Sequence, residues 1–214
     1  MDWEFITHHL VSGNIIVMAA LVVYFIILRV IGKKQAIGRI IAIFVLCFYL
    51  VGVLTVTGIC IRASFSPQIV YIPFADMITG PVDTVLNIIM FIPLGIFLPM
   101  LYKKYDKFAN IALIGFLMSL SIEIVQMFGF GKTDINDLIT NTVGACLGYA
   151  VYRGLHKIIP KSWMSQVQTD DPRFYYEPAL LWVMSLLIMT TVQPYMCNVL
   201  FPVNMAISEM HMWK

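Results

Sequence analysis

Charge is what this sequence has least of. Its 14 Lys or Arg and 12 Asp or Glu make up 12% of 214 residues, about half the share of an ordinary soluble domain. A net charge of +2, with no basic stripe interleaved with aromatics, gives no electrostatic footprint for nucleic acid. Cysteine is also scarce. Cys47, Cys60, Cys146 and Cys197 lie within or at the ends of apolar stretches without CxxC or Cys/His ligand spacing, so they read as small core hydrophobes. His8, His9 and His211 fall near the termini and read as solvated, and no metal or cofactor is expected. No histidine falls inside a predicted membrane helix, which excludes an argued Ser/His pairing. Walker A, HExxH and GxSxG motifs are absent. Neither a soluble domain, a low-complexity stretch nor a clear repeat is visible, and residues 1–214 read as a single membrane domain.

Apolar residues are abundant: 60% of the chain is hydrophobic, and mean hydropathy is +0.85. So much apolar surface needs lipid as its solvent. A membrane helix takes roughly 20 mostly apolar residues. About six such stretches occur, near 14–31, 40–61, 84–102, 108–128, 138–153 and 179–199. The predicted fold class is therefore all-α, a polytopic transmembrane helix bundle. The first stretch follows Asp2 and Glu4 with no Lys or Arg ahead of it and no small-residue cleavage pattern behind, so it reads as a retained helix. Arg29, Lys33, Lys34 and Arg39 fill the first loop; Lys103, Lys104 and Lys107 the third; Arg153, Lys157 and Lys161 begin the fifth. The intervening loops hold only Arg62 and Lys132. The positive-inside rule then makes the odd loops cytoplasmic and both termini extracytoplasmic.

Two longer connections differ in character. Residues 67–83 are too apolar for a solvated loop yet broken by Pro67, Pro73, Gly80 and Pro81, as expected of an interfacial or re-entrant segment. Residues 161–175 are mixed and polar and read as an ordinary cytoplasmic connection.

Topology converts position into depth. Asn87 lies in the first turns of the third helix, and Glu123 and Gln126 in the last turns of the fourth. At 1.5 Å per residue, Glu123 sits roughly 7–8 Å below a helix end near Phe128. Asp134, Asp137, Asn141, Gly144 and Gly148 advance by threes and fours, forming one stripe on the fifth helix. The link 129–133 makes helices four and five an antiparallel hairpin, bringing Glu123 and Gln126 toward Asp137 and Asn141. Membrane carboxylates are costly and mark substrate, ion or proton sites. Nearby carboxylates favour a protonated or shared state unless Lys132 or a bound cation holds them charged.

Plainer roles compete. Asp134 and Asp137 suit N-cap and first-turn positions. Gly144 and Gly148 form a GxxxG pair read as a helix-packing face. Asn87, Gln126 and Asn141 also suit hydrogen bonds between helices. Pro93, Pro99, Thr55, Thr57, Thr190 and Thr191 read as packing or kink features.

Four segments in order carry a resemblance: Ile72-Pro73-Phe74; Asn87 through Phe91, Pro93 and Gly95; Glu123-Ile-Val-Gln126; and Asp134 through Asp137, Asn141 and Gly144 to Gly148. Over about 70–153 the chain resembles the VanZ-like family, associated with teicoplanin resistance. The family pattern tends to place an arginine three residues before the first aspartate. Gly131 stands there, with Lys132 beside it, and an ammonium is a point charge without the guanidinium fork. The resemblance implies a bacterial cytoplasmic-membrane protein linked to glycopeptide or lipoglycopeptide susceptibility. The expected partners are membrane lipids and a lipid-linked cell-wall precursor or lipoglycopeptide. Three classes stay open: a binding or protective protein holding an amphiphile, an enzyme with a carboxylate acid or base, and a proton-coupled transporter.

Overall fold

The computed structural model describes residues 3–59, 68–70, 81–128 and 132–202. The long helices are α1 (Trp3–Val30), α2 (Ile37–Val56), α3 (Pro81–Leu101), α4 (Phe108–Gln126) and α5 (Ile135–Leu155). A short α6 (Lys161–Val167) follows, then α7 (Glu177–Leu187) and α8 (Gln193–Leu200), joined by a π turn at Ile188–Val192. The first four long helices and the run Pro172–Leu200 are long and apolar enough to cross a membrane. At 1.5 Å per residue, the 21 residues of α5 reach about 32 Å, also spanning length, but its polar stripe keeps it outside that apolar group.

Long apolar helices fold here because intrahelical bonds satisfy every backbone group where lipid offers no partner. Leu21 of α1, Leu46 and Leu54 of α2, Leu94 and Leu98 of α3 and Ile111 and Ile122 of α4 are fully enclosed. Other large apolar side chains, Val23, Ile27, Phe48, Ile89 and Leu187 among them, face outward. That is the inside-and-outside apolarity of a bundle solvated by lipid.

Three expectations change. First, α1 begins at Trp3, not near 14, so His8 and His9 lie on a helix long enough to span. Thr7, Ser12 and Asn14 donate to carbonyls four residues back, carrying the helix through a stretch that a hydropathy reading leaves out. Second, Arg39 is not a loop cation but a buried residue of α2. Third, residues 161–175 do not form an ordinary polar connection. Met164, Val167 and Phe174 are buried, and the segment closes the end of α3. Leu101 O accepts from Thr169 N at 2.9 Å, Lys103 N donates to Thr169 O at 3.0 Å and Gln168 Nε2 to Pro99 O at 2.7 Å. A helix leaves its last carbonyls without internal partners, and this segment supplies the donors.

Thr190 and Thr191 sit in the π turn and donate to the Leu186 and Leu187 carbonyls. Pro194 follows two residues after the turn and has no amide N–H to donate to the helical ladder. At the opposite end of the bundle from α6, two three-residue strands pair in parallel. These are β1 (Gln68–Val70) and β2 (Lys132–Asp134), in the register Gln68 to Lys132, Ile69 to Thr133 and Val70 to Asp134. The pairing ties part of the 67–83 connection to the start of α5. Residues 71–80, including Ile72-Pro73-Phe74, lie outside the described residues, as do Cys60, Arg62, Gly131 and His211.

Candidate functional site

The site is built where α3, α4 and α5 meet β2. Close approach of α3 to α5 comes first, because it sets which side chains can touch. A Cβ added at Gly144 would strike the Ile88 carbonyl and lie 3.0 Å from the Phe91 Cβ, and one at Gly148 would strike the Ile92 carbonyl. From the other side, a Cβ at Gly95 would strike the Ala145 carbonyl and lie 2.8 Å from Tyr149 N. Three glycines thus bring two helix backbones together.

One residue before Ile88, Asn87 donates its Nδ2 to Asp137 Oδ1 at 2.6 Å. Asp134 caps α5, its Oδ1 accepting from the backbone N and the Nδ2 of Asn136. Glu123, 4% exposed, accepts at Oε2 from Asp134 N at 2.8 Å, and its carbonyl accepts from Thr133 Oγ1 at 3.1 Å. The last turn of α4 is thereby clipped to the start of α5. Asn141, 2% exposed, donates Nδ2 to Ser119 Oγ at 2.9 Å, and Ser119 reaches the Asp137 carbonyl at 3.5 Å.

Gln126 points elsewhere. Its Nε2 donates to Thr57 O at 3.0 Å, joining α4 to the end of α2. The backbone of Lys132 lies in β2, while its side chain is outside the described residues. Thr140 Oγ1 lies 3.0 Å from the Asn136 carbonyl and 3.2 Å from the Asp137 carbonyl, so Asn87, Glu123, Asp134, Asp137 and Asn141 share one network, and Gln126 borders it.

The network accepts more than its neighbours give. Among the described residues no Lys or Arg pairs with Glu123, Asp134 or Asp137. Glu123 Oε1 and Asp137 Oδ2 receive no hydrogen bond from described residues, and Asn141 Oδ1 is enclosed without a partner. Unmatched acceptors of this kind suit a ligand rich in N–H or O–H donors. Among the described residues, no group of three His, Cys, Asp or Glu is placed to hold a metal ion.

Sequence reasoning missed Ser119 and a second polar centre. Arg39 and Glu177, 3% and 4% exposed, form an ion pair at the end of the bundle closed by α6. Tyr24 and Tyr102 donate to Glu177 at 2.6 and 2.7 Å, and Arg39 also donates to Leu101 O at 2.8 Å. The guanidinium lies 4.8 Å from the Tyr102 ring centroid. The available signal was Glu177 itself, an acid beginning an apolar run.

Lipid-compatible helices around inward-turned carboxylates and amides define a polytopic helical membrane protein with a buried polar site at one end of the bundle. The chain belongs to the VanZ/LLP1 family, whose model matches residues 15–159, beginning well upstream of the 70–153 segment that carries the sequence resemblance. It is similar to Protein VanZ of Enterococcus faecium, with 43% identity over 67 residues. That match covers 31% of this chain and 41% of the relative's length. No solved structure matches the chain.

Proposed function

We propose that this protein protects a bacterial cell against teicoplanin-type lipoglycopeptides by holding an acylated or lipid-linked ligand at the outer face of the cytoplasmic membrane. The observation that carries the reading is one partly buried network whose Glu123 Oε1 and Asp137 Oδ2 receive no hydrogen bond from described residues and whose Asn141 Oδ1 is enclosed without a partner. Family membership and the similarity to a VanZ protein support the cellular setting. The clustering of Lys and Arg in the loops at the other end supports an extracytoplasmic position for the network.

The test is a teicoplanin susceptibility assay with Glu123→Gln and Asp137→Asn, with protein abundance in the membrane measured in parallel. Each swap keeps shape but puts an amide NH2 where a titratable carboxyl oxygen accepts, and a lost hydrogen bond of about 1.5 kcal/mol is roughly tenfold in affinity. Protection should fall while abundance stays near wild type. Loss only in proportion to abundance would make the network structural. Turnover of a lipid-linked precursor by the purified protein, or proton-dependent flux into proteoliposomes, would instead assign these carboxylates to acid–base or coupling work.

A further inference from the structure

A groove between α1 and α2 lies at the end of the bundle opposite the Glu123 network and does not depend on that network's role. Its walls near this end are Val22, Phe25, Ile26, Ile40 and Phe44, and this open groove has a volume of about 420 Å³, within the range of small-molecule sites, ~300–1,000 Å³. At its mouth stand Arg29, Lys33, Lys34 and Gln35. A shallow, open apolar face formed by Asn14, Ile15, Met18, Phe44, Val45 and Phe48 continues along the same helix pair, with Phe44 common to both. From Asn14 to Arg29 the helix rises about 22 Å. That exceeds half of a roughly 30 Å hydrocarbon core, so one acyl chain of a single leaflet fits along it.

The mouth is locally built and carries unbalanced charge. Gly32, at φ 79°, ends α1 in the left-handed conformation, with Lys33 N donating to Leu28 O at 2.8 Å and Gly32 N to Arg29 O at 3.2 Å. This reversal sets Lys33 and Lys34 beside Arg29. Among the described residues none of the three has an acidic partner at ion-pair distance. Asp171 is held by Arg173, whose Nε donates to Oδ2 at 2.8 Å and Nη2 at 2.5 Å. Arg39, the other nearby cation, is consumed by Glu177.

We propose that this groove is a binding site for one anionic glycerophospholipid, its phosphate held by Arg29, Lys33 and Lys34 and an acyl chain lying over Phe44. An apolar slot without the cations would take any lipid tail. A cationic cluster without the slot would take any phosphate. Together they select a headgroup charge attached to a chain.

The experiment is native mass spectrometry of the full-length protein released from detergent. It is offered equal amounts of phosphatidylglycerol and phosphatidylcholine with identical chains. The wild type should retain one phosphatidylglycerol in preference to phosphatidylcholine, by about tenfold or more. The triple variant Arg29→Gln, Lys33→Gln, Lys34→Gln should lose that preference. The charge-keeping variant Arg29→Lys, Lys33→Arg, Lys34→Arg should keep it. Val22→Trp, which fills the slot but leaves the cations, should lower retention of both lipids. A thermal melt of each variant separates a lost site from a lost fold. Equal retention of the two lipids by the wild type, or preference unchanged in the glutamine triple, overturns the proposal. So does displacement of phosphatidylglycerol by millimolar inorganic phosphate, which would make the site a reader of free anions.

Discussion

Glu177 receives three donors, Tyr24 on Oε1 and both Tyr102 and Arg39 on Oε2, and they come from α1, the end of α3 and α2. These donors offset the cost of burying the carboxylate, but removing its cation leaves a charge with no counterpart, which costs about 3–5 kcal/mol. Arg39→Met should therefore lower thermal stability in detergent sharply. Adding Glu177→Leu to that variant should recover most of the loss, because an apolar pair of similar volume needs no desolvation. Equal melting temperatures for the single and double variants would show that the stranded Glu177 carboxylate is not what destabilises Arg39→Met. The pair also marks where residue-level reading stops. Glu123 is legible because an acid inside an apolar run is anomalous. Arg39 is not, since it follows Lys33 and Lys34 and its partner lies 138 residues away. Ser119 escapes for another reason: helix hydroxyls commonly bond back to their own turn, so one that instead accepts from Asn141 leaves no sequence trace.

Among the elements, α3 and α5 depend on each other most closely, and the glycine seam is the cause. Leucine at Gly144, Gly148 or Gly95 would collide with backbone, which cannot rotate away as a side chain can. Overpacking of this kind costs about 1–3 kcal/mol or more. Each of these substitutions should lower membrane abundance and protection together. Gly52→Leu, where an added Cβ meets nothing within 4 Å, should leave both near wild type. Parallel measurement of abundance by immunoblot and of teicoplanin susceptibility checks the contrast, and full abundance of Gly148→Leu would refute the seam. The four-residue spacing of Gly144 and Gly148 made a packing face readable, whereas the choice of α3 as its partner depended on Gly95, which has no such spacing of its own. Element ends were harder. Hydropathy placed the start of α1 near 14 because residues 3–13 are mixed in polarity, although nothing in them breaks a helix. The 161–175 segment looked solvated because Met164, Val167 and Phe174 are scattered among polar neighbours and gain burial only by docking where the start of α2, with Arg39, meets the end of α3.

Over the whole molecule, the two polar centres occupy opposite ends. Glu123, Asp134 and Asp137 stand with few cations beside the β1–β2 pairing, whereas Arg39 and Glu177 stand beneath the Lys- and Arg-rich connections. All-α architecture and five of the six expected spanning stretches followed from hydropathy, since burial in lipid leaves the backbone no other solution. The 138–153 stretch falls on α5, whose polar stripe keeps it outside the apolar group. Orientation follows from a different physics, the bias of Lys and Arg toward the cytoplasmic side. On that bias we propose that the Glu123 network faces outward, on the side of the proposed ligand, and the Arg29 groove faces the inner leaflet. It is testable with single cysteines in a variant lacking Cys47, Cys60, Cys146 and Cys197. Ser12 is a poor probe position because it is fully enclosed and bonded to Gln193 Nε2 at 2.9 Å. Val82, 67% exposed at the start of α3, reports the Glu123 end, and Ser165, exposed on α6, reports the other. In intact spheroplasts an impermeant maleimide should label Val82→Cys at once and Ser165→Cys only after lysis. Labelling of Ser165→Cys in intact spheroplasts, with Val82→Cys protected until lysis, would invert the protein. The carboxylate network would then face the cytoplasm, out of reach of any ligand confined to the outer leaflet, and the proposed protection would have to act from the inner side.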